Sequence, residues 1–439
     1  MTTGFAAIPD AVPYIIANAT IPGVLLDHSV AEPDAEGLCT ADLGIADGRI
    51  AVIAPAGALT EGPRIDLDGG MVWPAFVDMH THIDKGHIWP RRPNPDGTFL
   101  GAIEAVGADR RLNWSAEDVR RRMEFSLRSA YAHGTALLRT HLDSAPPQHR
   151  ISWPVFAAVR ERWAGRVELQ AVSIVGIEEL RDADFLDDLV DTVAEHGGVL
   201  GAVTYMVPDL ERLLETVMLR AANRGLDLDF HADETGDPAA HSLRIIADTA
   251  LRTDFPGRII AGHCCSLAMQ PSAEAEATIE RVAEAGIAVV SLPMCNMYLQ
   301  DRHAGRTPRW RGVTLVHELM ASDVPVAVAS DNTRDPFYAY GDHDMLEVFR
   351  EAVRILHLDH PVSSWASLVA RAPAAILGRA AEHGLVGEGR SADLVLFRAR
   401  TWTELLARPQ ADRTVIRAGR AIDRTLPDYR ELDDVVGAG

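Results

Sequence analysis

Two imidazoles stand one residue apart at His80-Thr81-His82, just behind the apolar run Met71-Val72-Trp73-Pro74-Ala75-Phe76. On an extended chain, residues i and i+2 project to the same side. Both rings can therefore offer a neutral nitrogen to one divalent cation. Taken alone, His-x-His describes equally well two polar residues leaving a strand. Further along, other apolar runs end in Arg139-Thr140-His141-Leu142-Asp143, in His231-Ala232-Asp233-Glu234, in His263 and in Asp331. One such histidine is usually a core residue with a satisfied ring. Their recurrence at matching positions points instead to a common centre. Three histidines and a carboxylate suit a zinc or ferrous ion that keeps an open position for water. Coordination makes such a water acidic enough to supply hydroxide near neutrality.

Elements that end at these residues must bring them together. Eight apolar segments read as strands: Met71–Asp78, Thr135–Thr140, Val167–Ser173, Gly198–Thr204, Leu226–Phe230, Arg258–Gly262, Ile287–Leu292 and Pro325–Ser330. Between them lie amphipathic stretches such as Ala116–His133, Val155–Trp163, Leu210–Arg224, Ala239–Leu251, Ala273–Ala285 and Leu315–Ala321. Strand–helix alternation implies a parallel sheet, and eight repeats predict closure into a (β/α)8 TIM barrel, whose chemistry gathers at the strand C-termini. Short strands with turn signals occupy residues 13–69, including Asp47-Gly48 between two alternating runs. A matching pattern returns at Ala392–Phe397 and Thr414–Arg420. The expected organisation is a small β-sandwich from residues 1–69 and 378–439, with the barrel at 70–377.

A net charge of −21 argues against nucleic acid or an anionic membrane as a partner. The apolar runs are too short to span a bilayer. Met1–Asn18 carries no basic stretch followed by an apolar core, so no signal peptide is expected. The four cysteines, Cys39, Cys264, Cys265 and Cys295, make no C-x-x-C pair and are expected as reduced thiols in a cytoplasm. Among 42 basic residues Lys85 is the only lysine, and it sits beside the paired histidines. An ammonium is a compact charge that a planar guanidinium does not replace at a tight site. Lys85 is therefore expected in a pocket.

Together, His80-Thr81-His82, His231-Ala232-Asp233-Glu234, His263, Ser330-Asp331-Asn332-Thr333-Arg334-Asp335-Pro336-Phe337 and the segment Asn296–Arg302 followed by Arg309–Val313 resemble the amidohydrolase superfamily, and within it the cytosine deaminase group. The resemblance implies that His80, His82, His231 and Asp331 hold the metal. It implies that Glu234 shuttles a proton from water to the substrate ring and then to the leaving amine. It further implies that His263 stabilises the developing oxyanion and that Asp331 first takes the water's proton. Binuclear relatives carry a lysine near the end of the fourth strand; here Val199–Met206 has none, so one divalent ion, zinc or iron(II), is expected.

The pocket departs from that group. A glutamine expected after the third strand is replaced by Ser173-Ile174-Val175-Gly176, an aspartate by Asn332 and a tryptophan by Phe337. Losing a positioned amide reader would leave the polar edge of cytosine unpaired, while Gly176 and Phe337 make room. The resulting expectation is a hydrolytic deaminase that releases ammonia from a pterin or isoguanine-type ring, with Lys85, Gly176, Asn332 and Phe337 against the substrate and Trp89, in the loop 85–97, either stacking on it or packing that loop onto the barrel. Cytosine remains open. So do hydrolysis of a cyclic amide or an N-alkylaminotriazine by the same chemistry, and an inactive metal-binding relative. The expected partners are a small heterocyclic substrate and, as a homo-oligomer, other copies of the chain.

Overall fold

In the computed structural model, which describes residues 4–10, 12–29 and 31–437, the chain begins as a sheet. Tyr14–Pro22 (β1) pairs antiparallel with Leu38–Ala46 (β2), which turns into Arg49–Pro55 (β3), and Arg64–Asp66 (β4) joins β1 in parallel. The β2–β3 turn passes through Asp47 and Gly48 at φ 49° and 76°. Positive φ at both central residues is the type I′ hairpin turn, which favours this Asp-Gly dipeptide.

The run Met71–Asp78, expected as one strand, is two. Val72–Pro74 (β5) belongs to a second small sheet, and Phe76–Thr81 (β6) opens the barrel. The break falls at Ala75, directly after Pro74, which has no N–H to give to a ladder. Parallel strands follow: Thr135–Asp143 (β7), Glu168–Ile174 (β8), Leu200–Thr204 (β9), Leu228–Ala232 (β10), Ile259–His263 (β11), Ala288–Ser291 (β12) and Val326–Val328 (β13). β6–β8 and β9–β13 pair in sequence order. The bridge Val172 to Val199 joins the two groups, and Thr81 to Asp331 closes the ring. Among the described residues this is an eight-stranded parallel barrel. Several strands run past their expected ends, so His231 lies within β10 and His263 is the last residue of β11, with Ala232 and His263 in register.

Leu394–Leu396 (β14), Thr414–Arg417 (β15) and Arg420–Ala421 (β16) complete the second sheet with β5. Ile16, Leu43, Ile45, Val72, Leu394 and Ile416 pack between the two sheets in one core. The tail does not stay there: Leu432 and Val436 pack on Phe125 of the barrel helix Ala116–His133. This departs from the expectation that 378–439 is sandwich throughout. Apolar residues so near a chain end are too few to show which core they join.

The helices Ala116–His133 and Leu210–Arg224 occupy the spans their periodicity predicts, each ended by a left-handed glycine, Gly134 or Gly225. One helix had no such signal. Phe99–Asn113, capped by Thr98 accepting from the Gly101 N–H, occupies a stretch that the sequence left unassigned. Its Ala102, Ala105 and Val106 are buried while Leu100 and Leu112 face solvent, so no apolar stripe stands out. Arg91 ties it down, donating to Asp109 within it and to Asp118 of the next helix. No helix among the described residues is long and apolar enough to cross a membrane.

A buried ion pair locks sandwich to barrel. Arg413, just before β15, donates through two nitrogens to Asp344 at 2.7 Å each, and Asp344 also caps the helix Met345–Leu356. Burial alone would raise the Asp344 carboxyl, but Arg413 and His133 outweigh it and hold the acid below the usual carboxylate range. Replacing Asp344 by asparagine leaves the Arg413 charge buried and unpaired. The expected cost is about 3–5 kcal/mol in a denaturant melt. Because the folded pKa is depressed, this stabilisation is present above the ordinary aspartate value of about 3.9. It is lost as pH falls toward the folded value, so the variant's deficit should shrink in acid.

Candidate metal centre and active site

β6 delivers His80 and His82 to one side, β10 delivers His231, and the residues after β13 deliver Asp331. Their ligand atoms converge. His231 Nε2 lies 3.2 Å from His80 Nε2 and 3.4 Å from His82 Nε2, and Asp331 Oδ1 lies 3.2 Å from His82 Nε2 and 3.8 Å from His80 Nε2. An ion held tetrahedrally at about 2.0–2.1 Å spaces its ligands about 3.3–3.4 Å apart. The donor set therefore fits a divalent cation. Burial first, then the neighbouring positive groups, pushes all three imidazoles well below their usual pKa, which keeps their lone pairs free to coordinate. Asp331 is buried with both carboxylate oxygens unpartnered among the described residues, as a ligand awaiting its cation would be.

The backbone pays local strain to aim these groups. Asp331, His263 and Asp233 sit at φ 62°, 69° and 50°, a region that non-glycine residues seldom occupy. Asp331 is held there by its N–H donating to the His80 carbonyl and by Thr81 Oγ1 donating to its own carbonyl, both under 3 Å. Asp233 accepts from the Ser242 N–H and hydroxyl and from the Leu243 N–H. Those bonds fasten the turn on which Glu234 stands, and Gln300 Nε2 donates to the Glu234 carbonyl.

Glu234, His263 and Asn296 face one another beside His80, His82, His231 and Asp331. Glu234 Oε1 is 3.4 Å from His263 Nδ1, and Asn296 Nδ2 donates to that same nitrogen at 2.9 Å. A donor at Nδ1 makes it the acceptor, so the ring proton belongs on Nε2, which is buried and has no partner among the described residues. Burial lowers the His263 pKa to about 3, so the ring is neutral. Burial, and after it the Asp331 charge, raises the Glu234 carboxyl well above its usual range, against a smaller pull from Lys85.

A cleft of about 460 Å³ opens onto this group, lined by His82, His231, Glu234, His263 and Asp331 at its inner end. Of the residues expected against substrate, Lys85, Gly176, Asn332 and Phe337 line it. Lys85 Nζ sits 4.4 Å from the Phe337 ring centroid, a cation–π contact at the wall. Asn332 donates to Asp335 and accepts from the Cys295 thiol, so its side chain is held before any ligand arrives. Trp89 does not line the cleft, which matches the second of its two expected roles, packing the loop onto the barrel. His87 N and Trp89 N donate to the Thr333 and Arg334 carbonyls, which pins the loop to the 333–334 backbone instead of over the opening. The helix Phe99–Asn113 forms the outer wall in its place, through Phe99, Ile103, Val106 and Arg110.

Other polar residues went unassigned in the sequence. Arg139 and His141 lie on β7 and Asp229 on β10, all buried within the barrel. Their signal was a period of two, Arg139-x-His141-x-Asp143 and Asp229-x-His231-x-Asp233, inside strands rather than after them. All four cysteines are free and buried, matching the thiols expected.

The Amidohydrolase family's sequence model matches residues 64–148 and 157–423. The chain is 58% identical over 439 residues, all of both chains, to a pterin deaminase of Rhizobium rhizogenes. Among solved structures, the 5-methylcytosine deaminase of Klebsiella pneumoniae with 5-fluorocytosine superposes with a TM-score of 0.80 at 24% identity, over 94% of this chain and 98% of that one. An adenosine deaminase of Xanthomonas campestris with bound zinc superposes at 0.69 and 16% identity, over 97% and 98%. With the family matched across most of its length and an end-to-end relative at 58%, this chain belongs to the amidohydrolase family and is a hydrolytic deaminase.

Proposed function

We propose that the chain deaminates a pterin, replacing the exocyclic amino group of the bicyclic ring with oxygen from water. The observation that carries this reading is the end-to-end 58% identity to a pterin deaminase. The wide cleft supports it, with Gly176 rather than a longer side chain at the third strand's end. His80, His82, His231 and Asp331 would hold a single divalent ion, zinc or iron(II). Bound there, the ion supplies the acidity that turns water into a nucleophile near neutrality.

The chain's own groups carry the protons. Burial pushes the Asp331 carboxyl up, toward a basicity at which it can take the proton of the attacking water. Glu234, with its raised pKa, passes a proton to the ring nitrogen beside the carbon under attack. A new C–O bond forms, and His263, neutral and donating through Nε2, stabilises the charge that develops on that oxygen. The exocyclic C–N bond then breaks: the proton of the new C–OH group passes through the ionised Glu234 to the nitrogen, which leaves as ammonia, the carbon remains as a carbonyl, and the proton that Asp331 took from water returns to Glu234. Lys85 and Phe337 would clamp the ring, and Asn332 would order the wall behind it.

The test is an ammonia-coupled assay of metal-loaded protein with pterin, isoguanine, cytosine and an aminotriazine. Ammonia from pterin at a kcat/KM above the others is expected; full metal loading with no ammonia from any pterin sinks the reading. A narrower cleft gives a second check. A Cβ at Gly176 meets the Tyr205 hydroxyl at 3.2 Å. Gly176→Val is therefore expected to lower kcat/KM for the bicyclic ring about 10-fold or more and to spare a single-ring substrate.

A further inference from the structure

His141 lies flat against the metal-side ring of His80, with centroids 3.9 Å apart and planes tilted by 33°. It is fully buried, and neither of its ring nitrogens has a partner among the described residues. Asp229 is equally buried and leaves Oδ1 unpartnered, while its Oδ2 accepts from Arg139 at 3.0 Å. His80 itself turns Nε2 toward the ligand cluster and keeps a buried, unpartnered Nδ1. Orphaned polar atoms of this kind are rare in protein interiors, and several beside one another mark an occupied polar site.

The spacing says what occupies it. Ring nitrogens of His80 and His141 and a carboxylate oxygen of Asp229 lie within 4.8 Å of one another. A point between them therefore lies no more than about 2.8 Å from all three, within hydrogen-bond reach of a single water. A transition-metal ion held tetrahedrally at about 2.1 Å would need its ligands about 3.4 Å apart, closer than the 4.0 Å between His141 Nε2 and Asp229 Oδ2, and the Arg139 guanidinium on Asp229 opposes a second cation. Water also supplies both donors and acceptors, as an imidazole pair and a carboxylate require.

We propose that His141 and Asp229 hold a buried water against His80, and that His141 is thereby a positioning residue for this metal ligand. This rests on the reading of His80 as a ligand given above. Ligating histidines are normally oriented through the nitrogen that faces away from the metal, and losing that outer partner typically costs 10–100-fold in metal affinity. No other outer partner for His80 is present among the described residues.

The experiment measures zinc affinity by competition with a chromogenic chelator, on wild type, His141→Phe and His141→Gln. Phenylalanine keeps the stacked ring and removes both nitrogens; glutamine restores polar atoms. His141→Phe is expected to bind zinc about 10–100-fold more weakly, with His141→Gln recovering part of the loss. Equal affinity in His141→Phe and wild type overturns the proposal while leaving the metal centre standing. A wild type that binds no zinc overturns the metal centre and the proposal together. Should His141→Phe not fold, a high-resolution crystal structure of the wild-type holoenzyme decides: water density in contact with His141 and Asp229 supports the proposal, and an empty or apolar gap there ends it.

Discussion

Glu234→Gln is expected to leave a folded protein that keeps its metal and loses about 10²–10⁴-fold in kcat. Glutamine has nearly the same shape, so the contacts that fasten the turn, all made by Asp233 and by the Glu234 backbone, persist. What disappears is a titratable proton. Burial and the Asp331 charge favour the protonated acid in the wild type, and the neighbouring His263 is neutral, so no other group at that distance can replace it. Measured metal content should match wild type, and substrate KM should change far less than kcat. A variant with wild-type turnover would remove Glu234 from the chemistry.

Stripping the ion with a chelator is expected to abolish turnover and to lower the melting temperature, with both restored by zinc or iron(II). The stability effect has a definite origin. Asp331 is a buried carboxylate whose two oxygens have no partner, and it faces three imidazoles kept neutral by burial. Such a cluster is poorly satisfied until a cation joins it. An ion present at about 1,000 times its dissociation constant contributes roughly 4 kcal/mol by linkage. Calorimetry with and without added ion reads this directly. Unchanged melting and turnover at an ion content of zero would rule out the assigned centre.

Much of the site was legible because its residues follow the periodicities that position them. His80 and His82 are two apart on an extended strand, and His231 and Glu234 are three apart across a turn, so spacing alone places them. The helix Phe99–Asn113 was not legible: apolar residues all round it erase the stripe on which a helix is recognised. Which of its two roles Trp89 takes was not legible for a related reason. An aromatic in a long loop has the chemistry to stack on a ring, but the backbone bonds to Thr333 and Arg334 that carry the loop elsewhere join segments more than two hundred residues apart. Arg139, His141 and Asp229 were visible as residues and not as a group, since β7 and β10 are not neighbours in the barrel and meet only across its interior.

By itself, the sequence determined the kind of atoms that would meet: imidazoles, two carboxyls and one ammonium, each at or just beyond the end of a strand able to present it. That much follows from local geometry, because a side chain's direction along a strand repeats every two residues. Only the closed barrel decided their separations, which of them are cut off from water, and what walls the opening. Those depend on contacts between segments distant in the chain, and burial in that interior is what moves Glu234, His263 and Asp331 away from their ordinary protonation.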